Sequence, residues 1–421
     1  MMQPPILLQE HDRITKIITQ NERFEHLSLV SWEKPMDNMP WGYYASYKIG
    51  AEWIDDKEAL VVTTKQKMEN IDFLSMFMTC FSSNLAVESF TKIYSINVGQ
   101  PAIETTSLKG VISPLIVLHY LGIVSRIKVL KKDYILCNEN LKKIKGHINI
   151  LKNERKNIAL KRYDRIHCNY NEYSVDIPEN KLLKKALLFS KHIIERMGTH
   201  HNSYKNIKQL LAKSLSMFEN VSDDVDIKAI KQIKGHKLFK DYAEAIRLAK
   251  LVLCYFDYSI NKTSETNNKI VPFVLDMSLL YEHYVYGLLY QAYNNRITYQ
   301  YKGKTGVPDF LYSSNNFKAI LDTKYIPKYE KENLYTNVVR QLSGYSRDIT
   351  ILKHLGYDIK ESSPVPSVPC IIIYPIDEEN KEKIENPFIG NYLSELCTFK
   401  EEGLSQFYKI AIPIPTIQLK Q

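Results

Sequence analysis

The sequence predicts an α+β amino-terminal region followed by an α/β domain with a mixed central sheet. The amino-terminal part mixes short alternating segments, at residues 41–47 and 59–64, with a helical stretch near residues 71–80. Towards the carboxyl end, apolar runs of strand length lie between segments with helical periodicity. Alternation is typical of half-buried strands and a 3.6-residue period is typical of helices, so the two parts differ in how their elements are ordered.

Length and composition restrict the class of protein. A chain of 421 residues, 44% of them hydrophobic, suggests two or three domains with substantial cores. The six cysteines are scattered without a C-x-x-C pair, which indicates neither a zinc site nor a disulfide framework and favours a reducing, cytoplasmic setting. We expect no signal peptide, and the most apolar run, residues 111–124, is too short to span a bilayer.

All three tryptophans fall in the amino-terminal region, at Trp32, Trp41 and Trp53, with several tyrosines close by. Aromatic side chains at this density are able to stack on a flipped base. Strand-rich cores also concentrate them. We favour the core position and keep base stacking as the alternative.

The positive charge is concentrated in one segment. Residues 126–165 contain thirteen Lys/Arg and four Asp/Glu, so this segment contributes 13 − 4 = +9, equal to the formal net charge of the whole chain. Concentrated positive charge favours a polyanion, because neutralising phosphates releases counterions. A surface that meets an acidic partner protein is the alternative. Alternation over residues 129–169 predicts that several strands carry the segment.

The middle of the chain is predicted to be helical. Residues 179–197, 205–218 and 238–256 have helical periodicity and predict a connecting helical layer. A polar stretch at residues 261–269 is typical of a surface loop. We therefore divide the chain at residues 1–178, 179–260 and 261–421.

The carboxy-terminal domain contains a pattern of acid, short strand, then acid-x-lysine. Asp309 follows a proline, and Asp322 and Lys324 come after a second strand-like run, with Asp322 thirteen residues after Asp309 (322 − 309). Two aspartates supply oxygen ligands for a hard divalent cation, and a lysine supplies a charge that holds or activates water. This combination points to phosphodiester hydrolysis, although the motif alone is common by chance.

Hairpin geometry predicts how these side chains are arranged. A turn centred between Ser314 and Asn315 would make the numbers of facing residues sum to 629 and place Asp309 opposite Ile320. Asp309, Asp322 and Lys324 would then project from one face of the sheet, because side chains two apart on a strand share a face. A three- or five-residue loop would reverse the parity.

Two predicted helices flank this hairpin. Residues 276–293 form an amphipathic pattern in which Glu282 lies on an apolar stripe, and a carboxylate in that position usually needs a partner such as a metal site. A partly solvated helix position is the alternative. Residues 335–352 predict a second helix with Gln341 and Tyr345 on one face, where they would line the site or belong to the core.

The order of Glu282, Pro308-Asp309, Asp322-x-Lys324 and Gln341-x-x-x-Tyr345 resembles the RecB-like branch of the PD-(D/E)xK nuclease superfamily. Gly146-His147-Ile148 and residues 168–180 resemble the middle of McrC proteins, the nuclease subunits of McrBC-type modification-dependent restriction systems. The likeness covers roughly residues 140 to 350. His147 departs from it, because that family is expected to have arginine there.

The resemblance implies an α/β PD-(D/E)xK restriction-endonuclease-like domain at residues 261–421. It implies a Mg²⁺ site, with Mn²⁺ as an alternative, formed by Asp309, Asp322, the Thr323 carbonyl and Glu282. Lys324 would orient or help to deprotonate the attacking water. Gln341 and Tyr345 would hold the DNA backbone or support the site by hydrogen bonds.

The resemblance also implies partners. The sequence has no G-x-x-x-x-G-K-[ST] motif, so nothing indicates that this chain binds a nucleoside triphosphate. A separate AAA+ GTPase ring of McrB type would supply energy, the amino-terminal region 1–178 would engage it, and double-stranded, modified DNA would be cut. Two alternatives stay open: a non-catalytic adaptor that activates the ring and clamps DNA, and an exonuclease of the RecB-like kind.

Overall fold

The structure is a computed structural model. It describes residues 4–14, 24–34, 40–65, 68, 70–80, 92–97, 100–105, 108–197, 202–225, 240–260, 269–327, 333–359, 366–376, 386–397, 399–401 and 403–416. Contacts divide the chain into two units, one formed by residues 1–115 and 264–421 and the other by residues 116–263. The division into regions 1–178, 179–260 and 261–421 stays a prediction.

A five-stranded sheet contains most of the amino-terminal strands of the first unit. Its order is β1-β5-β4-β12-β6. These strands are β1 (Ile6–Gln9), β4 (Lys48–Trp53), β5 (Ala59–Thr63), β6 (Tyr94–Ile96) and β12 (Phe273–Asp276). Four further strands form two separate two-stranded sheets: β2 (Val30–Glu33) pairs with β3 (Gly42–Ala45), and β7 (Ile103–Glu104) pairs with β11 (Lys269–Ile270). Helix α1 (Phe73–Cys80) lies where the periodicity predicts, so the α+β character is confirmed.

The core position favoured for the tryptophans is wrong for two of them. Trp32 and Trp41 are 55% and 63% exposed. Trp32 lies in β2, which pairs with β3 in a two-stranded sheet, and its ring meets Tyr43 edge-on at 4.8 Å. A two-stranded ribbon buries less aromatic surface than a packed sheet, so the Trp32 ring faces solvent, and Trp41 directly precedes β3 of the same ribbon. Trp53 is half-buried and donates its Nε1 hydrogen bond to the Pro101 carbonyl at 2.9 Å.

The second unit contains a three-stranded sheet and long helices. The sheet has the order β8-β10-β9, from β8 (Asp133–Leu141), β9 (His147–Ile148) and β10 (Ile166–Ser174). The predicted strands of the basic segment are therefore confirmed in part, because residues 150–158 form α3 (Ile150–Asn153) and a π-helical turn instead. The other helices are α2 (Lys109–Arg126), whose sequence contains the boundary between the units, α4 (Pro178–Met197), α5 (Asn202–Met217) and α6 (Lys240–Ile260).

A six-stranded mixed sheet forms the carboxy-terminal part of the first unit, as predicted. Its order is β13-β14-β15-β16-β18-β17. The strands are β13 (Ile297–Tyr299), β14 (Phe310–Ser313), β15 (Lys318–Thr323), β16 (Cys370–Ile376), β17 (Phe399–Lys400) and β18 (Phe407–Pro413). β15, β16 and β18 run parallel, whereas β13, β14 and β17 pair antiparallel with their neighbours.

The helices of this part are α7 (Met277–Tyr293), α8 (Thr336–Tyr345), α9 (Ile349–His354) and α10 (Leu393–Leu396). The single helix predicted over residues 335–352 is wrong, because the chain breaks between α8 and α9. Asp348 caps α9, and its carboxylate accepts a hydrogen bond from the Thr350 amide at 2.8 Å. An aspartate competes with the helix backbone for hydrogen bonds, which favours a new helix start over continuation.

The predicted register of the β14–β15 hairpin is wrong by two residues. Phe310 faces Leu321 and Ser313 faces Lys318, so the numbers of facing residues sum to 631 rather than 629. Ser314 and Phe317 exchange backbone and side-chain hydrogen bonds, which leaves Asn315 and Asn316 as the turn. The parity survives, and continuing the ladder by one residue puts Asp309 opposite Asp322 rather than Ile320.

Within the described ranges, no helix is both long and apolar enough to cross a membrane.

Two helical glycines provide a test of the packing. A Cβ on Gly287 in α7 would lie 2.1 Å from the Thr79 carbonyl oxygen of α1, whereas a Cβ on Gly344 in α8 would meet nothing closer than Thr305 at 3.9 Å. We expect Gly287→Ala to destabilise the protein by about 1–3 kcal/mol, because overpacking forces backbone shifts. Thermal unfolding followed by circular dichroism measures the change.

Gly344→Ala is the matched control, and we expect it to be neutral or to stabilise by up to about 1 kcal/mol, since alanine favours helix. Equal melting temperatures for the two variants would contradict the close contact between α1 and α7.

Candidate active site

The end of β15 brings the predicted acidic residues together. Thr323 donates two hydrogen bonds to the Asp309 Oδ2 atom, one from its amide and one from its hydroxyl, each at 2.6 Å. The Asp309 carbonyl accepts a hydrogen bond from the Gln300 amide at 2.9 Å. Asp309 is thus held between its two neighbouring strands, although it precedes the first residue of β14. Its second carboxylate oxygen is left for other partners.

Asp322 and Lys324 form an ion pair at the same edge of the sheet. The Lys324 Nζ atom lies 2.5 Å from the Asp322 Oδ2 atom. Asp322 is 1% exposed. Burial raises the pKa of Asp322 against the opposing effect of Lys324. Burial alone would lower the pKa of Lys324, but the Asp322 charge overrides it and raises that pKa, so Lys324 is protonated at neutral pH.

Glu282 reaches the same cluster from helix α7. It is buried, and its Oε1 atom accepts a hydrogen bond from Gln300 Nε2 at 2.8 Å. Burial raises the pKa of Glu282, and the charge of Asp322 raises it further. Burial and the charges of Asp322 and Glu282 raise the pKa of Asp309 well above its ordinary value. The partly solvated position considered for Glu282 is therefore excluded.

Helix α8 supplies the predicted glutamine and tyrosine. The Lys324 Nζ atom lies 3.5 Å from the Gln341 Oε1 atom, and Gln341 Nε2 donates to the Tyr345 hydroxyl at 2.8 Å. That hydroxyl donates in turn to the Val307 carbonyl at 3.3 Å. Tyr345 is buried and Gln341 is exposed, so this hydrogen-bonded pair connects the buried core to the Lys324 ammonium group at the surface. The structure thus brings together all seven predicted residues: Glu282, Asp309, Asp322, Thr323, Lys324, Gln341 and Tyr345.

Sequence reasoning missed Gln300. This residue has a φ of 46°, a left-handed conformation that is uncommon outside glycine. Its side chain binds the Glu282 carboxylate and its amide binds the Asp309 main-chain carbonyl, so one residue connects two site residues that are 27 positions apart in the sequence (309 − 282). A lone glutamine after a short strand carries no sequence signal. Only the pairing of β13 with β14 reveals the role.

The donor set can be compared with what a divalent cation requires. Burial raises the pKa of all three carboxyl groups, and the charge of Asp322 raises the pKa of Asp309 and Glu282 further, which favours a proton or a cation among them. Carboxylate oxygens are the ligands that Mg²⁺ prefers. In the part of the chain that the structure describes, no group of three His, Cys, Asp or Glu side chains already has metal-binding geometry. Lys324 holds Asp322 instead. The oxygen donors of these residues therefore suit a hard divalent cation. In the structure, the charge of Asp322 is instead neutralised by its ion pair with Lys324.

Comparison with known proteins places these residues in a family. Residues 107–346, more than half of the chain, match the family model described as McrBC 5-methylcytosine restriction system component, and all seven residues of the cluster lie in that range. No curated protein matches.

Two solved structures from Thermococcus gammatolerans are similar at 13% identity. One is a half-complex of a tetradecameric assembly of McrB AAA+ hexamers with bound McrC, with a TM-score of 0.37, covering 98% of this chain and 95% of that chain. The other is the McrBC complex, with a TM-score of 0.30, covering 68% of this chain and 88% of that chain.

The electrostatics of the cluster predict how pH changes its stability. The pKa of Asp309 is higher in the folded than in the unfolded protein, so the folded state binds this proton more tightly and gains stability as the pH falls through the raised value. We expect Asp309→Asn to increase the melting temperature by a few degrees at pH 8 in EDTA. The increase should shrink towards pH 4, because the wild-type carboxyl is then protonated in the folded state and about half protonated in the unfolded state.

Asp348→Asn is the control of opposite sign. Burial alone would raise the pKa of Asp348, but hydrogen bonds from backbone amides lower it to about 2. The stability that this carboxylate contributes is present above its ordinary pKa and is lost as the pH falls towards 2. Asp348→Asn should therefore lower the melting temperature at pH 8 and at pH 5. A decrease with Asp309→Asn at pH 8 would contradict the effect of burial and of the charges of Asp322 and Glu282 on Asp309.

Proposed function

The chain belongs to the family of McrBC restriction system components, and we propose that it is the nuclease subunit of such a system. In this proposal it is a metal-dependent DNA endonuclease with a PD-(D/E)xK domain at residues 261–421. It acts in the cytoplasm on double-stranded, modified DNA, together with an AAA+ GTPase ring of McrB type. The observation that carries the proposal is the convergence of Asp309, Asp322 and Lys324 at one edge of the mixed sheet.

The carboxylates supply the cation site. Asp309, Asp322, Glu282 and the Thr323 carbonyl are the groups that would hold Mg²⁺ or Mn²⁺. A bound cation of this kind offsets charge that builds up on the phosphate and lowers the pKa of a water molecule. Thr323 and Gln300 keep Asp309 and Glu282 oriented through the hydrogen bonds described above. Because their pKa values are raised, these carboxyl groups lose a proton less readily than an ordinary carboxyl group. A bound cation would stabilise their ionised form.

Lys324 acts as a charge and a hydrogen-bond donor in this scheme. Because its pKa is raised, it is protonated at neutral pH and is unsuited to accept a proton from water. Its position between Asp322 and Gln341 suits it to orient the attacking water or the scissile phosphate. Gln341 and Tyr345 keep the ammonium group at the edge of the sheet. Lys324 is thus the group that meets the substrate, and α8 positions it.

The partner surface is proposed to lie on the ribbon of β8 and β10. Tyr134, Leu136 and Tyr173 lie on this ribbon and are 70%, 66% and 60% exposed, and the two tyrosine rings are 5.2 Å apart. Contiguous exposed apolar side chains mark protein–protein contacts more often than phosphate contacts. Of the two interpretations of the basic segment, the partner interpretation is therefore favoured for this face. Residues 1–178 would then engage the ring and 179–260 would connect it to the nuclease.

Substitution of the site tests the nuclease proposal. We expect Asp322→Ala and Lys324→Ala each to reduce cleavage of methylated plasmid DNA by about 100-fold or more, because each removes a group that stabilises charge in the transition state. Cleavage is measured with the purified McrB-type partner, GTP and Mg²⁺. Asp56→Ala, at an exposed aspartate, is the control and should cut at the wild-type rate.

Partner GTP hydrolysis, measured in the same reactions, should be unchanged by all three substitutions. Cleavage by Asp322→Ala at the wild-type rate would refute the catalytic roles. A wild-type chain that stimulates GTP hydrolysis without breaking DNA would favour the non-catalytic adaptor. Cutting of linear but not circular DNA would favour the exonuclease.

The partner surface has a separate test. We expect Tyr134→Ser with Tyr173→Ser to weaken binding of the McrB-type partner by at least about tenfold, because buried aromatic side chains dominate interface energies. Isothermal titration calorimetry with the purified partner measures the affinity. Tyr392→Ser, at a tyrosine that is 65% exposed in the other unit, is the control. Unchanged partner binding together with weaker DNA binding would assign the ribbon to DNA instead.

A further inference from the structure

The segment that leads into Asp309 carries two exposed lysines that the candidate site does not use. Residues 301–307 read Tyr-Lys-Gly-Lys-Thr-Gly-Val and connect β13 to the Pro308-Asp309 pair. Lys302 and Lys304 are exposed. We propose that this segment, with Arg340 and Arg347 beside it, is a clamp for the phosphate backbone of duplex DNA next to the scissile bond. The proposal rests on the nuclease function proposed above and names the element that holds its substrate.

The backbone of the segment is anchored by one buried carboxylate. Asp348 Oδ2 accepts hydrogen bonds from the Thr305 amide at 2.7 Å and from the Thr305 hydroxyl at 3.0 Å. The Lys304 amide donates to the same carboxylate. The Gly303 amide donates to the Gly306 carbonyl at 2.9 Å and closes a tight turn. These bonds fix the backbone from which the two lysine side chains extend, so ordering that backbone adds no entropic cost when a ligand binds.

The two glycines show how closely the segment is held. A Cβ on Gly303 would lie 2.7 Å from Asp348 Oδ2. Gly306 has a φ of +147°, and a Cβ there would lie 2.8 Å from the Tyr345 ring. Side chains at either position would displace the turn, and a positive φ disfavours any residue except glycine at the second. The backbone positions of Lys302 and Lys304, on either side of Gly303, are therefore set by the packing of the segment against Tyr345 and Asp348.

Two arginines lie next to the segment. A Cβ on Gly344 would be 3.9 Å from the Thr305 side chain, so the segment runs beside this face of α8. Arg340 is one helical turn before Gly344 and shares its face. Arg347 is one turn after it, and its amide donates to the Gly344 carbonyl at 3.2 Å. Both arginines are exposed. None of the four cationic groups forms an ion pair with another residue in the described ranges.

The charge balance of the site explains what the cations would bind. The carboxyl groups of Asp309, Asp322 and Glu282 repel an approaching phosphodiester to the extent that they are ionised, and Lys324 is already paired with Asp322. A strand of DNA needs compensating positive charge within a Debye length, about 10 Å at 0.1 M salt, to approach such a cluster. Lys302 and Lys304 are seven and five residues before Asp309, on a fixed backbone (309 − 302 and 309 − 304). Backbone phosphates are spaced regularly along DNA, which suits several point charges on a rigid support.

Salt-dependent binding tests the clamp without cleavage. The double variant Lys302→Gln/Lys304→Gln of the full chain is titrated into a fluorescein-labelled DNA duplex in EDTA over a series of KCl concentrations, with fluorescence anisotropy as the readout. We expect affinity at low salt to fall at least about tenfold and the slope of log affinity against log salt to fall by about 2 in magnitude, because two phosphate contacts are lost.

The matched control is Lys57→Gln/Lys213→Gln, which removes the same charge at exposed positions far from this segment in the sequence. Its slope and affinity should stay at the wild-type values. Equal behaviour of the two double variants, or a wild-type chain without salt-dependent duplex binding, would overturn the clamp. Loss of McrB-type partner binding with unchanged DNA binding would assign the lysines to a protein interface and would also overturn it.

Cleavage kinetics with the partner separate the clamp from the chemistry. Lys302→Gln/Lys304→Gln should raise KM for DNA about tenfold and leave kcat within about threefold, because phosphate contacts bind ground state and transition state alike. A lower kcat with unchanged KM would contradict the clamp. If Asp322→Ala still cuts DNA at the wild-type rate, the proposed nuclease site fails, while the binding test in EDTA still decides the clamp. Arg340→Gln, a second variant on α8, should reduce the salt slope by about 1.

Discussion

The antiparallel pairing of β14 with β15 is the constraint on which the rest of the candidate site depends. This pairing places Asp309 opposite Asp322 and lets Thr323 donate both of its hydrogen bonds to Asp309. The same ladder continues through β13, where the Gln300 amide meets the Asp309 carbonyl. A slip of one residue would turn Asp309 to the other face of the sheet and separate it from Glu282. The strand residues of the cluster, Asp309, Asp322 and Thr323, are therefore positioned by the main-chain ladder, whereas Glu282, Gln341 and Tyr345 reach it from helices α7 and α8.

Local patterns were sufficient to predict much of this arrangement. Strand parity, helix α7 and the shared face of Gln341 and Tyr345 follow from periods of 2 and 3.6, which are set by residues close in sequence. The register was misplaced because Ser314 pairs with Phe317 through its hydroxyl as well as its backbone, and that choice of turn is not visible in composition. The helix break was missed because Asp348 finds its partners in Thr305, 43 residues away.

Long-range pairing explains the other differences between sequence and structure. Strand β12, at residues 273–276, lies between β4 and β6, which come from the first hundred residues. No local pattern predicts such a partner. The role of Gln300 is likewise invisible in the local sequence, because its contacts form only when β13, β14 and α7 come together in the fold. The exposed rings of Trp32 and Trp41 show the opposite case. Local composition favoured a core position for them, but Trp32 lies in a two-stranded ribbon and Trp41 directly precedes its second strand, so both side chains stay exposed.

The place of β12 has a consequence for the modularity of this protein. Asp276 is the last residue of β12 and also the N-cap of α7, where it accepts a hydrogen bond from the Leu279 amide at 3.0 Å. The helix that carries Glu282 thus starts inside a sheet completed by distant strands. A fragment cut at residue 261 would keep the acidic cluster but leave β12 with two unpaired edges, exposed for association with other chains. Gene fusion or domain exchange at that point would consequently separate the cluster from the scaffold that orients one of its acids.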